Sequence, residues 1–264
     1  MRLCPLCSGS SGNSTYVGVS DACGVLVDLG KSTKQIEILL KKNNIDINNI
    51  KSIFITHEHV DHISGIKVFT KKYGTKIYGS EGTINALKSK GIITENVNYE
   101  IIYDREIDLG FLSVKPFYTS HDCSQSMGYV LTAPNGKKTA VCTDLGYISS
   151  KVKQSVLGCN SILIESNHDV KMLQNGPYPY HLKRRILSEI GHLSNDTCSE
   201  FLPELVEHGA RDIIISHLSE KNNIPELAYQ TAICNFEKHS MKEKTDFKLF
   251  VAPKLNDGKV NVTV

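Results

Sequence analysis

Four residues able to hold a metal ion fall within six positions of the run Thr56-His57-Glu58-His59-Val60-Asp61-His62. In extended chain, residues two apart point the same way, so His57 and His59 can present both imidazoles to one ion. After a turn, Asp61 and His62 reach a second ion a few ångströms off. The run is not the helical H-E-x-x-H of zinc proteases: its fifth residue is Asp61, and the β-rich Ile53-Phe54-Ile55-Thr56 before it argues against a helix. The bland alternative is a solvated loop with coincidental histidines.

Three more candidates stand where apolar runs give out. His121 follows Phe117-Tyr118-Thr119-Ser120, Asp144 follows Thr139-Ala140-Val141-Cys142-Thr143, and His217 follows Ile213-Ile214-Ile215-Ser216. Singly, each reads as a turn or capping residue. With the first cluster they supply five neutral nitrogens and two carboxylates, enough for two ions. Two divalent ions about 3.5–4 Å apart can clamp a bridging water, lower its pKa toward neutrality and stabilise charge on a phosphoryl or acyl centre. Imidazole and carboxylate together suit Zn²⁺ or Mn²⁺ without deciding between them.

The elements that must carry these residues are legible in outline. Strands are expected at 3–7, 14–20, 24–28, 51–56, 75–78, 99–103, 111–118, 127–133, 138–143, 160–165, 212–216 and 247–251, the last ending the core. Helices are expected near 32–43, 62–72, 82–89, 149–157, 179–190, 196–208 and 225–239. Strand runs followed by helices, twice over and with no sequence repeat or linker, imply one α/β domain over 1–264: two sheets face to face with helices outside.

Composition bounds the reading. The chain has 264 residues, 40% hydrophobic and 22% charged, with a net charge of +2. It needs no disulfide or structural metal to bury a core, and no strong field points to nucleic acid or membrane, so any basic surface must be local. No apolar run approaches the ~18 residues of a membrane span, and no signal segment is expected at Met1-Arg2-Leu3-Cys4-Pro5. Eight scattered cysteines read as reduced, buried thiols of a cytoplasmic protein. Cys4 and Cys7 have ligand spacing but no second pair to close a zinc site.

Strand-borne H-x-H-x-D-H, then a lone His, a lone Asp and a final His in that order, resembles the metallo-β-lactamase superfamily over essentially the whole chain. The resemblance implies a four-layer αβ/βα sandwich. It places the first ion on His57, His59 and His121 and the second on Asp61, His62 and His217, with Asp144 as the bridge. Asp28 would support the site without binding metal, and Asp61 would align the nucleophile. His59 stands where flavodiiron members place a glutamate, which favours hydrolysis. A carboxylate at Asp144 matches the phosphoesterase and thioesterase branches.

Smaller motifs narrow the branch. Glu165 and His192 resemble the proton-relaying Glu and Gly-His-Ser pair of the transfer-RNA 3′-processing ribonucleases, with His192 expected to end a basic helix. The substrate-gripping arm of those ribonucleases has no room between His121 and Asp144. Together with Ser8–Asn13, Glu165–Asp169, Gly191–Asn195 and Ser216–Asn223, the set is similar to the WalJ/YycJ group of bacterial exonucleases, which implies 5′→3′ digestion of double-stranded DNA. Lys183, Arg184 and Arg185 are candidates for the phosphodiester backbone, since arginine grips phosphate bidentately, and Ser194 and His168 for further substrate contacts. Ser8–Asn13 either cradles a phosphate with backbone N–H groups or is a plain hairpin turn. His181, His208 and His239 read as surface residues. A small-molecule hydrolase for a cyclic phosphodiester, thioester or lactam, a tRNA-processing-like ribonuclease, and a non-catalytic partner protein on the same fold stay open. Protein partners are not indicated.

Overall fold

The computed structural model describes residues 1–20 and 23–264. Strands β1 (Arg2–Cys7), β2 (Ser14–Ser20) and β3 (Cys23–Val27) run antiparallel, and β4 (Ile50–Phe54), β5 (Lys76–Gly79) and β6 (Tyr99–Ile101) extend β3 in parallel. Helices α1 (Thr33–Lys42), α2 (Val60–Ile63), α3 (Ile66–Tyr73) and α4 (Glu81–Ser89) make the connections. The second half repeats the scheme. Strands β7 (Ile107–Asp108), β8 (Ser113–Tyr118), β9 (Met127–Thr132) and β10 (Lys138–Cys142) are antiparallel, and β11 (Ser161–Glu165), β12 (Asp212–Ser216) and β13 (Lys248–Val251) follow in parallel. Its helices are α5 (Ser150–Val156), α6 (Val170–Asn175), α7 (Tyr180–Ile186), α8 (Asn195–Glu207) and α9 (Pro225–Lys238). Strand β14 (Val262–Thr263) returns to pair with β1, so each sheet has seven strands among the described residues.

Side-chain alternation makes these sheets the two inner layers of four. Val25 and Val27 face Val141, Leu163 and Ile214 across the inter-sheet core. Their neighbours point outward: Leu26 packs with α1 and α3 residues such as Ile36 and Phe69. On the second sheet Ile162, Ile164, Ile213 and Ile215 meet Phe201, Leu202 and Phe236 of α8 and α9. Each fully buried Val, Leu or Ile contributes roughly 1.5–3 kcal/mol. Central parallel strands buried on both faces read as continuous apolar runs, which is why Asp212-Ile213-Ile214-Ile215-Ser216 was visible in sequence. No helix among the described residues is long and apolar enough to cross a membrane. His181, His208 and His239 are exposed.

Several boundaries differ from expectation for identifiable reasons. The helix expected near 62–72 is broken into α2 and α3 at Gly65, whose N–H donates to Leu29 O and where a Cβ would stand 2.2 Å from Lys31 O. The basic helix expected over 179–190 stops at Ile186. Beyond it His192 N donates back to Ile186 O, and Gly191 approaches Ile186 O so closely that a Cβ would lie 2.2 Å away. Strand β13 does not end the core, because Val260 and Val262 join the inter-sheet cluster. The short elements β7, α6 and β14 lacked enough residues to show a period.

Backbone contacts bind the loops at one edge into a unit. Gly30 N donates to Asn13 O, Asn13 N to Asp61 O, and Leu29 N to His62 O. A Cβ at Gly30 would lie 1.7 Å from Asp61 O and 2.5 Å from Asn13 N. Gly30→Ala should therefore lower stability by about 1–3 kcal/mol or more. Denaturant melts should show a lower midpoint with unchanged slope; an unchanged midpoint would contradict the packing described.

Candidate metal centre

The residues singled out by sequence converge at the C-terminal edge of both sheets. The chain leaves β4 extended, so His57 and His59 turn to the same side, with ring centroids 4.6 Å apart. His121, from the loop after β8, completes a triangle at 4.9 and 5.0 Å. One ring nitrogen from each of the three falls within 4.8 Å of the others. Thr56 Oγ1 lies 3.0 Å from His57 Nδ1 and Gly191 O lies 3.1 Å from His121 Nδ1. Both rings therefore turn Nε2 inward.

A second group lies beside the first. His62 Nδ1–H donates to Asp28 Oδ2 at 2.7 Å, and Asp28 is itself held by Thr56 N and Oγ1, both at 2.8 Å. The Nε2 atoms of His62 and His217 lie 3.5 and 3.6 Å from Asp61 Oδ2. Asp144 stands between the groups: Oδ2 is 3.3 Å from His62 Nε2 and Oδ1 is 3.6 Å from His121 Nε2. Asp28, Asp144 and His217 each take up a positive φ (62°, 60° and 58°) within two residues of a strand end. Such strain in non-glycine residues persists only where the surroundings over-determine it.

Three buried atoms of this cluster have no hydrogen-bond partner among the described residues: His57 Nε2, His217 Nε2 and Asp144 Oδ2. Buried polar atoms are normally satisfied, and these aim at one another's neighbourhood. Neutral imidazole nitrogens and carboxylate oxygens are the donor set of borderline-to-hard divalent cations, so the residues present fit such ions. Among the described residues, candidate ligand groups include His57 with His62 and Asp144, and Asp61 with His62 and His217.

Glu165, the last residue of β11, is fully buried. One oxygen serves two histidines: Oε1 accepts from His192 Nδ1 at 2.8 Å and from His217 Nδ1 at 2.6 Å. Oε2 accepts the backbone N–H groups of Leu145 and Leu193, each at 3.0 Å. Burial alone would push its carboxyl up, but His192 and His217 more than offset it and hold it at about 2. His217 is driven the other way: burial disfavours its charge, while Asp144, Asp61 and Glu165 raise it to about 10. His192 sits on the loop after α7, not at a helix end, and borders the cavity over the cluster.

That cavity, about 220 Å³, is lined by Ser10, Asn167, Tyr178, Arg185 and Ser219 as well as cluster residues. The basic run does not act as a block. Only Arg185 lines the cavity; Lys183 Nζ donates to Gln174 O at 2.7 Å, and Arg184 lies over the Tyr180 ring on the outer face. Consecutive helical residues are about 100° apart, so three cannot share one face. Ser194 caps α8 by accepting from Thr197 N. The His168 ring is 1% exposed and enclosed behind the site, where burial lowers its pKa to about 4, so it offers no surface to a substrate.

Sequence reasoning passed over Glu58 and Asp122, and took Asn13 only as the end of the Ser8–Asn13 turn. Asn13 Nδ2 lies 3.3 Å from Asp61 Oδ2 and 3.1 Å from His62 Nε2, and its Oδ1 accepts from Gly9 N. The Ser8–Asn13 turn is thus packed on the cluster, and Ser8 Oγ accepts from His217 N. Glu58 points away from the cluster and accepts from Ser124 N and Oγ, both at 2.7 Å, clipping the loop that carries His121. Glu58 carried a signal, since alternation from His57 turns its side chain to the opposite face.

A family model described as a beta-lactamase superfamily domain matches residues 25–218. The chain is 39% identical over 224 residues to "Exodeoxyribonuclease YycJ" of Bacillus anthracis, covering 84% of each. It is 36% identical over 248 residues to "Exodeoxyribonuclease WalJ" of Streptococcus pneumoniae, covering 93% of this chain and 91% of that one. The Zn²⁺-bound structure of PqqB from Methylobacterium extorquens aligns with a TM-score of 0.72 over the full length of both chains, at 14% identity. At that identity the likeness is one of fold.

Protons and cations must compete for these histidines. In metal-free protein, His217 at about 10 against an ordinary 6.5 stabilises the fold fully below pH 6.5, and this is lost as pH rises through 10. Glu165 at about 2 against 4.5 stabilises above pH 4.5 and loses this as pH falls through 2. The pair's contribution is therefore largest between pH 4.5 and 6.5. Divalent metal binding at pH 7 should release protons. Calorimetry in two buffers of different ionisation enthalpy should give different apparent heats; identical heats would contradict the assignment.

Proposed function

The chain belongs to the beta-lactamase superfamily, and we propose that within it this enzyme is a dinuclear metal-dependent phosphodiesterase that digests DNA from an end. Its place among metal-dependent hydrolases follows from the family. The observation that carries the finer reading is Asp144, set between two groups of histidines with one buried oxygen unpartnered. His57, His59 and His121 would hold one ion, Asp61, His62 and His217 the other, and Asp144 both; Zn²⁺ and Mn²⁺ each suit the set. When bound, such ions supply Lewis acidity and an activated water at a phosphoryl centre.

The protein's own groups do the rest. Asp28 and Glu165 accept hydrogen bonds from the Nδ1–H groups of His62 and His217, which turns both Nε2 atoms to the centre. Asp61, at the cavity wall, accepts a hydrogen bond from the attacking water and aligns it. Arg185 meets a phosphate oxygen at the cavity edge. His192, its Nδ1 fixed by Glu165, is left with Nε2 to give a proton to the departing 3′-oxygen as the P–O bond breaks.

DNA is favoured as substrate by the relatives named exodeoxyribonucleases, which cover most of the chain. The tight turn at Asn135–Gly136 between β9 and β10 leaves no arm of the kind that grips transfer RNA. Mn²⁺- or Zn²⁺-loaded protein given end-labelled single- and double-stranded DNA and RNA should release 5′-label from duplex DNA as short products. Internal cuts without end release, or turnover of small diesters with none of DNA, would overturn the reading.

The proton donor has its own signature. His192→Ala should keep the fold and the metal content but lose about 10²-fold or more in kcat on DNA, within the usual 10²–10⁴ for a positioned acid. The loss should shrink on p-nitrophenyl diesters, whose leaving group needs no proton. Equal loss on both would make His192 a structural residue.

A further inference from the structure

Arg185 does not reach the cavity unaccompanied. Its guanidinium forms a forked ion pair with Asp122, Nε on Oδ2 and Nη2 on Oδ1, the latter at 2.9 Å. Asp122 directly follows His121, and its Oδ1 lies 3.5 Å from His121 Nε2. One member of the pair is fixed: Asp122 N donates to Ile190 O, and in the same loop Ser120 Oγ donates to Glu189 O while Ser120 O accepts from Gly146 N. The other is a long side chain from the last turn of α7, 47% exposed and lining the cavity.

A guanidinium fork fits a carboxylate and a phosphate equally well. The other cations of α7 are turned elsewhere, Lys183 to Gln174 O and Arg184 to the Tyr180 face. An ion pair this exposed shifts an equilibrium by no more than a few-fold, so a substrate can displace it. Neither state strands a charge. With the pair closed, Arg185 is neutralised by Asp122. With a phosphodiester in the fork, the released carboxylate, 21% exposed, remains partly open to solvent.

We propose that Asp122 is a stand-in for the substrate: it holds Arg185 at the cavity edge until a phosphodiester takes over the same fork, and so sets phosphate affinity and its salt dependence. The proposal rests on the phosphodiesterase reading above. Asp122 would be a specificity-determining residue, in competition with the substrate for a single guanidinium.

Asp122→Asn keeps the size of the side chain and one acceptor for Arg185 while removing the competing charge. KM should fall about two- to fivefold for duplex DNA and for bis-p-nitrophenyl phosphate, with kcat within about twofold, the range set by an exposed pair. The slope of log Kd against log salt for duplex DNA, followed by fluorescence anisotropy, should steepen by about one unit. Arg185→Ala should move KM and slope the other way, and Asp122→Asn in that background should bring no gain. An unchanged or raised KM overturns the proposal, as does loss of bound metal from Asp122→Asn, which would make Asp122 a ligand. Wild-type protein that turns over the small diester but neither binds nor cuts DNA would overturn the nuclease reading instead, and the small-diester KM would still decide the role of Asp122.

Discussion

Histidine rings packed together in a buried cluster repel one another when charged and waste their donors when neutral, unless each is backed by an acceptor. In this protein Asp28 stands behind His62, Glu165 behind His192 and His217, Gly191 O behind His121, and Thr56 Oγ1 beside His57. Each of these contacts is at Nδ1, so the rings face inward by Nε2. The rest of the architecture follows from keeping the backing groups in place. Asp28 and Glu165 are nearly or fully buried at the ends of β3 and β11, where strand pairing on both sides leaves them no freedom to relax away.

The two halves of the chain solve this problem alike. In each sheet an antiparallel run turns parallel, at β3 in the first and at β10 in the second, and each of these strands leads within two residues to a left-handed aspartate, Asp28 and Asp144. One aspartate lies behind the cluster and accepts from a histidine; the other lies within it with an oxygen unpartnered. The same local geometry thus serves support in one half and, in the proposed reading, ligation in the other. Family membership makes the enzyme a metal-dependent hydrolase; the proposed DNA substrate leans on the relatives named exodeoxyribonucleases, since a shared fold hosts many chemistries.

Most of the site was legible because its residues end strands. An apolar run that stops at a histidine or aspartate gives both the element and the direction of the side chain, and His57, His59, His121, Asp144 and His217 were found that way. What escaped depends on contacts between distant segments. Asn13 matters because Gly30 and Asp61 meet its backbone, and Asp122 because a helix more than sixty positions later delivers Arg185 to it. The Lys183-Arg184-Arg185 run misled by being read as a patch when helical rotation scatters it. The stretch from Leu187 to Ile190 was expected to continue the basic helix, yet Leu187 and Ile190 are exposed and the path of the chain is set by Gly191 packing on Ile186.

Crystals grown with Mn²⁺ or Zn²⁺ and measured at the metal absorption edge would test the central claim, that two ions share this cluster. Two anomalous peaks should appear, one among His57, His59 and His121 and one among Asp61, His62 and His217, with Asp144 between them. A single peak, or density centred on Glu165 and His192 instead, would contradict it.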